Sequence, residues 1–329
     1  MNNLLSEPSM HLGVIICTYN EEANIERCIE SVLLQSEIYV SLFVSDNQST
    51  DKTVNLIEGY GKKVKCLRIE SQSLVSVYQH YANAQAYFRK RFPDINWWMN
   101  IGADDYLEGD QCLQNLALRA KELNPRLSAS ESVGIVPKVK VIDSRNGSFF
   151  FAKRLPSFIP LRIRSALYYL MPRSWQPLTF YFSLFNSNAL DLCIDGSNFI
   201  ESFRRKHNSK MQRSPESETL WSLFFASNVK LFNHSSSIYV RKSFNRVRSE
   251  INLKPSKNWK RLSSITSKIE ILQKSFYMVT YIKLWKEYLP RRSYSWYLFL
   301  LPLQIALDIS SVLTSALRRR AFFKLNVKK

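Results

Sequence analysis

The first hundred residues alternate between short apolar runs and amphipathic stretches, and this alternation limits the possible folds more than any other feature. Four apolar runs have the length of buried strands: Leu12–Cys17, Val40–Val44, Val64–Ile69 and Trp97–Ile101. The stretches between them carry apolar residues at helical spacing: Ala23–Leu33, Thr53–Tyr60 and about Val75–Arg91. We expect Asn20 to cap the first helix. Repeated units of this kind predict an α/β fold, a mostly parallel sheet with helices on both faces.

Polar clusters follow three of the predicted strands, directly after Cys17, Val44 and Ile101. Each cluster alone is what any surface loop contains. In an open sheet of this class, however, ligands bind at the carboxyl ends of the strands, where all three clusters fall. Their joint placement predicts a ligand site at that edge.

The third cluster contains the adjacent carboxylates Asp104 and Asp105, which end an apolar, aromatic run. Hard oxygen ligands suit Mg²⁺ or Mn²⁺, and a cation bound by one or two carboxylates keeps positions open for substrate phosphates. The alternative is a solvated turn before Tyr106. The pair is therefore a candidate metal site for phosphate-bearing chemistry.

The three clusters, taken with their order and spacing, resemble glycosyltransferase family 2, whose members have the GT-A fold. The similarity rests on residues 14–22 (VIICTYNEE), 44–53 (VSDNQSTDKT) and 102–107 (GADDYL), and it covers about the first third of the chain. Two positions depart from the family pattern. Gly102 stands where many members have a further aspartate, and Ser45 replaces the first acid of a frequent double aspartate.

The resemblance implies a set of residues that bind a nucleotide sugar. These are Thr18, Tyr19, Asn20, Glu22, Asp46, Asn47, Ser49, Ala103 and Asp104. It further implies that Asp104 and Asp105 bind Mn²⁺ or Mg²⁺ against the diphosphate. Because Asp46 occupies the family's position for contacting uracil, we expect UDP as the carrier.

Sugar transfer also needs a base that removes a proton from the acceptor hydroxyl. The segment 214–221 (SPESETLW) resembles the acidic element that supplies this base in the family, and we assign the role to Glu218, with Glu216 as second candidate. Both acids could instead favour only a helix N-terminus. Direct attack by the acceptor would invert the anomeric configuration, as the resemblance also implies.

Charge separates the chain into two regions. Residues 241–329 contain 20 Lys or Arg against four acids, a net charge of +16, which leaves +3 of the total +19 for residues 1–240. We therefore predict a GT-A domain at 1–240 and a basic, helical extension at 241–329.

Within the extension, residues 296–317 are strongly apolar and have arginines on both sides. Pro302, Gln304 and Asp308 disfavour a clean membrane span, so we expect an amphipathic segment, 294–320, that lies at an anionic membrane surface. A true span and a buried packing helix are the alternatives. Residues 149–185 mix bases with aromatic residues, which predicts an insertion facing the acceptor or the membrane, or else an ordinary helical subdomain.

Cysteine content and the amino terminus bear on location. The five cysteines are odd in number and show no close pairing, as in a reducing compartment. Residues 1–10 lack a signal segment. We expect the enzyme at the cytoplasmic face of the inner (plasma) membrane.

Two classes of function fit these features. The first is an inverting, metal-dependent glycosyltransferase that acts on a lipid-linked, membrane-held glycan in the biosynthesis of a cell-surface polysaccharide. The second is a non-catalytic protein that binds membranes or polyanions through a degenerate transferase domain. The long apolar segment of the tail is not needed for nucleic acid, so we expect no nucleic-acid partner.

Overall fold

The structure is a computed structural model of the chain. It describes residues 10–68, 75, 77–143, 147–151, 182–206 and 229–243, and six positions between 299 and 310. The chain divides into two compact units, and the strands and helices of the sheet belong to the first unit, residues 1–158, 177–212 and 229–244.

One sheet organises the described part of the chain. Its strands are β1 His11–Thr18, β2 Tyr39–Asp46, β3 Val64–Arg68, β4 Trp97–Gly102, β5 Tyr106–Glu108, β6 Val133–Asp143, β7 Phe149–Phe151, β8 Leu184–Asn186 and β9 Lys230–Ser243. The helices are α1 Ile25–Leu33, α2 Thr53–Glu58, α3 Val77–Arg91, α4 Cys112–Leu123 and α5 Ser187–Lys206. The strands and helices predicted for the first hundred residues are confirmed to within a few residues at each end.

The strand order is β3-β2-β1-β4-β8-β6-β9-β5, with β7 paired to β6. The first four strands are parallel, as predicted. Strands β5, β7 and β8 run antiparallel to the strands they pair with. Strands β6 and β9 run parallel to each other. The sheet is therefore mixed, and parallel pairing dominates only in its first half.

Helices cover both faces of the sheet, which confirms the predicted α/β class. Apolar residues of α1, α2 and α4 pack on one face against Leu12, Val14 and Ile16 of β1. Residues of α3 and α5 pack on the opposite face around Ile15 and Trp98. This alternation along β1 is the period of two that buries a strand on both sides.

The second half of the sheet turns back toward the first. Only residues 103–105 connect β4 to β5, although three strands separate the two in the sheet order. Four strand spacings of about 4.8 Å would place them about 19 Å apart in a flat sheet, too far for this short connection. Strand β5 accordingly packs on α1, and the backbone N–H of Leu107 donates a hydrogen bond to Ser31.

The prediction that Asn20 caps the first helix is wrong. Helix α1 begins at Ile25 after Asn24, and Asn20 lies in a left-handed turn with φ of 52°. Its side-chain oxygen accepts a hydrogen bond from the backbone N–H of Thr50 instead. The β1–α1 loop is therefore longer than the pattern of the sequence indicated.

The predicted extension 241–329, including segment 294–320, falls almost wholly outside the described residues, so the domain division stays a prediction. Within the part of the chain that the structure describes, no helix combines the length and apolar character needed to cross a bilayer.

Candidate functional site

The polar loops after β1, β2 and β4 meet at the carboxyl edge of the parallel strands. Thr18, the last residue of β1, stands beside Asp46 of β2, and Cys17 stands beside Gly102 of β4. Strand β1 lies between β2 and β4 in the sheet. The prediction that the three loops share one edge is therefore confirmed.

Asp46 is buried and organises the loop that follows β2. Its two carboxylate oxygens accept hydrogen bonds from the backbone N–H of Ser49 at 2.9 Å and from the Ser49 hydroxyl at 2.5 Å. The Ser49 hydroxyl oxygen also accepts a hydrogen bond from the backbone N–H of Asn20. Asp46 thus fixes Ser49, and Ser49 fixes the start of the neighbouring loop.

Further hydrogen bonds join the β1–α1 and β2–α2 loops along their length. Glu22 accepts a hydrogen bond from the backbone N–H of Lys52 at 3.0 Å, and its own N–H donates to Asp51. The backbone N–H of Glu21 donates to the Thr53 hydroxyl at 2.8 Å. The two loops behave as one preformed wall of the site.

Asn47 extends this wall to the segment that precedes α3. Its side-chain amide donates to the carbonyl of Val75 at 3.0 Å and accepts from the N–H of the same residue at 3.3 Å. Next to it, the Thr18 hydroxyl is buried and has no hydrogen-bond partner among the described residues. Unpaired buried hydroxyls are costly, which makes this atom a candidate ligand contact.

Ser45 explains one departure from the family pattern. It is fully buried on the face covered by α3, and its hydroxyl lies 3.0 Å from Nε2 of His80. Burial lowers the pKa of His80 to about 4, so the ring is neutral at physiological pH. An aspartate at position 45 would place its carboxylate in this buried pocket, whereas serine fills the pocket without charge.

The acidic loop after β4 is a tight turn in which the N–H of Asp105 donates to the carbonyl of Gly102 at 2.9 Å. Both carboxylates fold back over Gly102. A Cβ atom at this glycine would lie 2.9 Å from Oδ1 of Asp104 and 3.1 Å from Oδ2 of Asp105. Glycine at position 102 therefore leaves the space in which the two carboxylates converge, and a side chain there would fill it.

The two carboxylates differ in their surroundings. Asp104 is half-buried and has no ion-pair partner among the described residues, whereas Asp105 is buried. Oδ2 of Asp105 accepts a hydrogen bond from the hydroxyl of Tyr239 at 2.7 Å, and the same hydroxyl accepts one from the N–H of Gly102 at 3.2 Å. Asp104 is therefore the more accessible of the two carboxylates, and Asp105 is held in place by the hydroxyl of Tyr239.

Tyr239 is a positioning residue that the sequence reasoning missed. It lies on β9, pairs with Leu107 of β5, and its ring stacks on Phe182 with 4.2 Å between centroids. No local motif marks it, because its partner Asp105 is 134 positions away in the sequence. A strand pattern at residues 230–243 could have been found, but not this contact.

The negative charge of the acidic loop raises the pKa of buried neutral groups near it. Burial raises the pKa of the Cys28 thiol, and Asp105 and Asp104 raise it further, so the thiol stays protonated and points to the carbonyl of Gly102. Burial and the same two carboxylates also raise the pKa of Tyr81. These groups cannot supply a compensating positive charge.

Arg27 of α1 is the second residue that sequence reasoning missed. Its guanidinium lies over the ring of Tyr106 at 4.4 Å, and Nη2 donates to the backbone carbonyl of Asp104 at 3.4 Å. It braces the loop through the backbone rather than pairing with the Asp104 carboxylate.

The structure brings the predicted nucleotide and metal residues, which all lie between positions 18 and 105, to one edge of the sheet, where Tyr19 is partly exposed and Ala103 is buried. Whether each contacts a ligand stays a prediction. Glu216 and Glu218 lie outside the described residues, so their assignment as bases also stays a prediction.

The acidic loop fits a divalent cation. Carboxylate oxygens of Asp104 and Asp105 converge above Gly102, and they are the ligands that Mg²⁺ and Mn²⁺ prefer. Within the described residues, no group of three or more His, Cys, Asp or Glu could hold a metal ion. An ion bound by this pair would complete its coordination with water and phosphate oxygens.

The mixed sheet, with helices on both faces and an acidic loop after β4, has the architecture of the GT-A fold. Residues 13–185 match the family described as Glycosyl transferase family 2. This match covers more than half of the chain, so the chain belongs to glycosyl transferase family 2. None of the curated proteins compared with the chain matches it.

Among the solved structures that are similar to the chain are proteins from S. aureus and Pyrobaculum calidifontis. S. aureus TarS 1-349 is 17% identical, with a TM-score of 0.46, and the similarity covers 71% of this chain and 60% of that one. The same protein in complex with UDP-GlcNAc is aligned over 91% of this chain and 79% of that one, at 14% identity and a TM-score of 0.46. The mannosyltransferase PcManGT from Pyrobaculum calidifontis, in complex with GDP-Man and Mn²⁺, is 12% identical over 96% of this chain and 79% of that one, with a TM-score of 0.45.

Proposed function

We propose that the chain is an inverting, metal-dependent glycosyltransferase that moves a sugar from a UDP-linked donor to a hydroxyl of a lipid-linked glycan held at a membrane. The reaction serves the biosynthesis of a cell-surface polysaccharide at the cytoplasmic face of the plasma membrane. The observation that carries the proposal is the convergence of the Asp104 and Asp105 carboxylates above Gly102, beside the wall formed by the first two loops.

The donor would bind across this edge. The preformed loops of Asn20 and Asp46 would receive the base and ribose, with the Thr18 hydroxyl as a hydrogen-bond donor or acceptor. Asp104 and Asp105 would hold Mn²⁺ or Mg²⁺, which when bound neutralises charge on the leaving diphosphate. Tyr239 keeps the Asp105 carboxylate oriented and maintains the turn at Gly102.

Proton removal from the acceptor hydroxyl is assigned to Glu218, with Glu216 second. The role requires a carboxylate within hydrogen-bond reach of the acceptor, on the side of the sugar opposite the diphosphate. The basic, apolar segment 294–320 supports a membrane-held acceptor, because cationic amphipathic segments concentrate a protein at anionic lipid.

Titration calorimetry tests the donor site directly. Purified protein is titrated with UDP, GDP, dTDP and CMP, with and without Mn²⁺, and the same series is run on Asp104→Asn. We expect Mn²⁺-dependent binding of UDP that the substitution weakens by about 10-fold or more, because the cation loses a charged ligand.

Asp94→Asn is the matched control, because Asp94 is exposed just before β4 while Asp104 follows the same strand. It should bind UDP as the parent does. If well-folded parent protein binds none of the four nucleotides, the proposed donor chemistry is wrong.

The base is tested separately with Glu218→Gln and Glu216→Gln. We expect the variant of the true base to transfer sugar about 100-fold to 10,000-fold more slowly while its UDP affinity stays within about twofold. Equal, small effects from both substitutions would place the base elsewhere.

A further inference from the structure

Strand β7, the second strand of the β6–β7 hairpin, is an exposed aromatic surface near the acidic loop. Phe149, Phe150 and Phe151 are 56%, 61% and 39% exposed. Three consecutive large aromatic residues this accessible are uncommon on a soluble surface, and an exposed apolar patch of this kind marks a contact with a partner.

Successive side chains of a strand point to opposite faces, so β7 presents aromatic rings on both of its faces. Phe149 and Phe151 share one face, where their rings meet edge to face at 5.9 Å, and Phe150 lies on the other. A sugar ring stacks on one aromatic face at a time. Rings on both faces are covered together when a strand enters a surrounding medium, such as the interfacial layer of a bilayer.

Lysines frame the aromatic face. Nζ of Lys138 lies 3.8 Å from the centre of the Phe151 ring, and Nζ of Lys140 lies 4.7 Å from that of Phe149. Lys140 also pairs with Glu108 at 2.6 Å, whereas Lys138 has no carboxylate partner among the described residues. Aromatic rings beside an unpaired ammonium group match the boundary between acyl chains and anionic headgroups.

The hairpin is close to the predicted chemistry. Tyr106, Val240, Lys140 and Phe151 are successive neighbours across β5, β9, β6 and β7, and Tyr106 directly follows Asp105. Measured along the sheet, three strand spacings of about 4.8 Å place Phe151 about 14 Å from Tyr106, the residue after Asp105.

We propose that Phe149–Phe151 and Lys138 form a membrane anchor that inserts into the interface of an anionic bilayer beside the active site. If the proposed function holds, the anchor brings the acidic loop to within reach of an acceptor carried by that bilayer. The anchor is independent of segment 294–320, which lies in a different part of the chain.

A fluorescent probe at the hairpin tests the proposal without requiring sugar transfer. In a Cys66→Ser background, which removes the exposed cysteine, Phe150→Cys is labelled with an environment-sensitive dye and mixed with vesicles. We expect a blue shift with phosphatidylglycerol–phosphatidylcholine vesicles and a weaker one with phosphatidylcholine alone. The control is Leu34→Cys, which is 69% exposed after α1 and should show no shift.

A second measurement removes the apolar surface. Phe149→Ser, Phe150→Ser and Phe151→Ser together should weaken vesicle co-sedimentation by about tenfold or more, because three rings leave the interface. UDP binding should be unchanged. Leu34→Ser with Leu118→Ser removes comparable exposed side chains elsewhere and should leave co-sedimentation unchanged.

Three outcomes would overturn the anchor. The protein could sediment with vesicles while the probe at position 150 shows no shift, which would assign membrane binding to the tail alone. The probe could shift with soluble dextran instead, which would indicate a glycan platform. The serine variant could abolish a dimer seen by analytical ultracentrifugation, which would make β7 a subunit contact. By contrast, a protein that transfers no sugar would contradict the proposed function but not the membrane anchor, because neither vesicle experiment depends on sugar transfer.

Discussion

The two sides of the candidate site are built in different ways. On the nucleotide side, the loops after β1 and β2 hold each other through hydrogen bonds between residues about 30 positions apart, such as Asn20 with Thr50 and Glu22 with Lys52. On the acidic side, the loop after β4 depends on Tyr239, a strand residue from the far end of the sheet order.

Because of this difference, we expect substitutions on the two sides to change different properties of the protein. The nucleotide side is self-contained, so a substitution there removes local bonds and changes stability and nucleotide affinity. The acidic side requires the sheet to turn back on itself, because only then does β9 reach Asp105. A substitution there should change the orientation of carboxylates, and therefore metal dependence, before it changes the fold.

The strongest test of this contrast is Gly102→Ala. The added methyl group would lie 2.9 Å from Oδ1 of Asp104 and 3.1 Å from Oδ2 of Asp105. Because a carboxylate can rotate away, we expect unfolding free energy to change by less than about 1 kcal/mol, while transfer slows about 10-fold to 100-fold through misplacement of the acids.

Transfer rates at saturating Mn²⁺ and denaturant unfolding measure the two effects. Gly59→Ala, which adds a methyl at a residue with ordinary helical dihedral angles after α2, is the control and should leave transfer unchanged. An active Gly102→Ala variant would show that the convergence of carboxylates is not needed.

Tyr239→Phe removes one hydroxyl from the acidic side and keeps the ring that stacks on Phe182. Asp105 and the N–H of Gly102 would lose their shared partner, so we expect a stability loss of about 1 to 3 kcal/mol. The Mn²⁺ concentration for half-maximal transfer should rise about tenfold, as when a residue that orients a metal ligand is lost.

Tyr87→Phe removes a hydroxyl from an exposed tyrosine of α3 and provides the comparison. An unchanged Mn²⁺ requirement in Tyr239→Phe would mean that Tyr239 supports the fold without positioning Asp105.

The contrast also explains what the sequence predicted. The four parallel strands and their helices were readable because each unit is local and its apolar period is visible, as in Leu12–Cys17. The shared edge of the three loops followed from the rule for parallel sheets. The turn at Asn20 was missed, because its amide is engaged by Thr50 and therefore does not cap α1.

The second half of the sheet was not predictable in this way. Its strands β5, β7 and β8 are three residues long and antiparallel to their neighbours, too short to show a period. Tyr239 and Arg27 gain their roles only from contacts across 134 and 77 positions. The packing of Ser45 on His80 likewise depends on how α3 crosses the sheet.

On the nucleotide side, His80 should give the β2 region a measurable dependence on pH. Its pKa is lowered to about 4 by burial, while an unfolded histidine titrates near 6.5. The unfolded chain therefore binds a proton first as pH falls, and stability is lost between pH 6.5 and 4. From about pH 7.5 to about pH 5 we expect a loss of about 2 kcal/mol from this residue.

His80→Gln removes the titration and retains a side chain that can bond to Ser45. Denaturant unfolding at the two pH values measures the unfolding free energy of the variant and of the parent. Between about pH 7.5 and about pH 5, this free energy should fall by about 2 kcal/mol less in the variant than in the parent. The same fall in both proteins would locate the pH dependence in other groups.

The smallest expected effects come from two substitutions of Asn20. They separate the contributions to stability of its left-handed backbone and of its side-chain oxygen. Asn20→Gly tolerates the φ of 52° but removes the acceptor for Thr50, so we expect a loss of about 1 kcal/mol. Asn20→Ala removes both and should lose about 1 kcal/mol more, because a β-carbon disfavours this conformation. Both variants should bind UDP more weakly while their Mn²⁺ requirement stays that of the parent. A raised Mn²⁺ requirement in either variant would show that the two sides of the site are coupled, and the contrast between them would have to be abandoned.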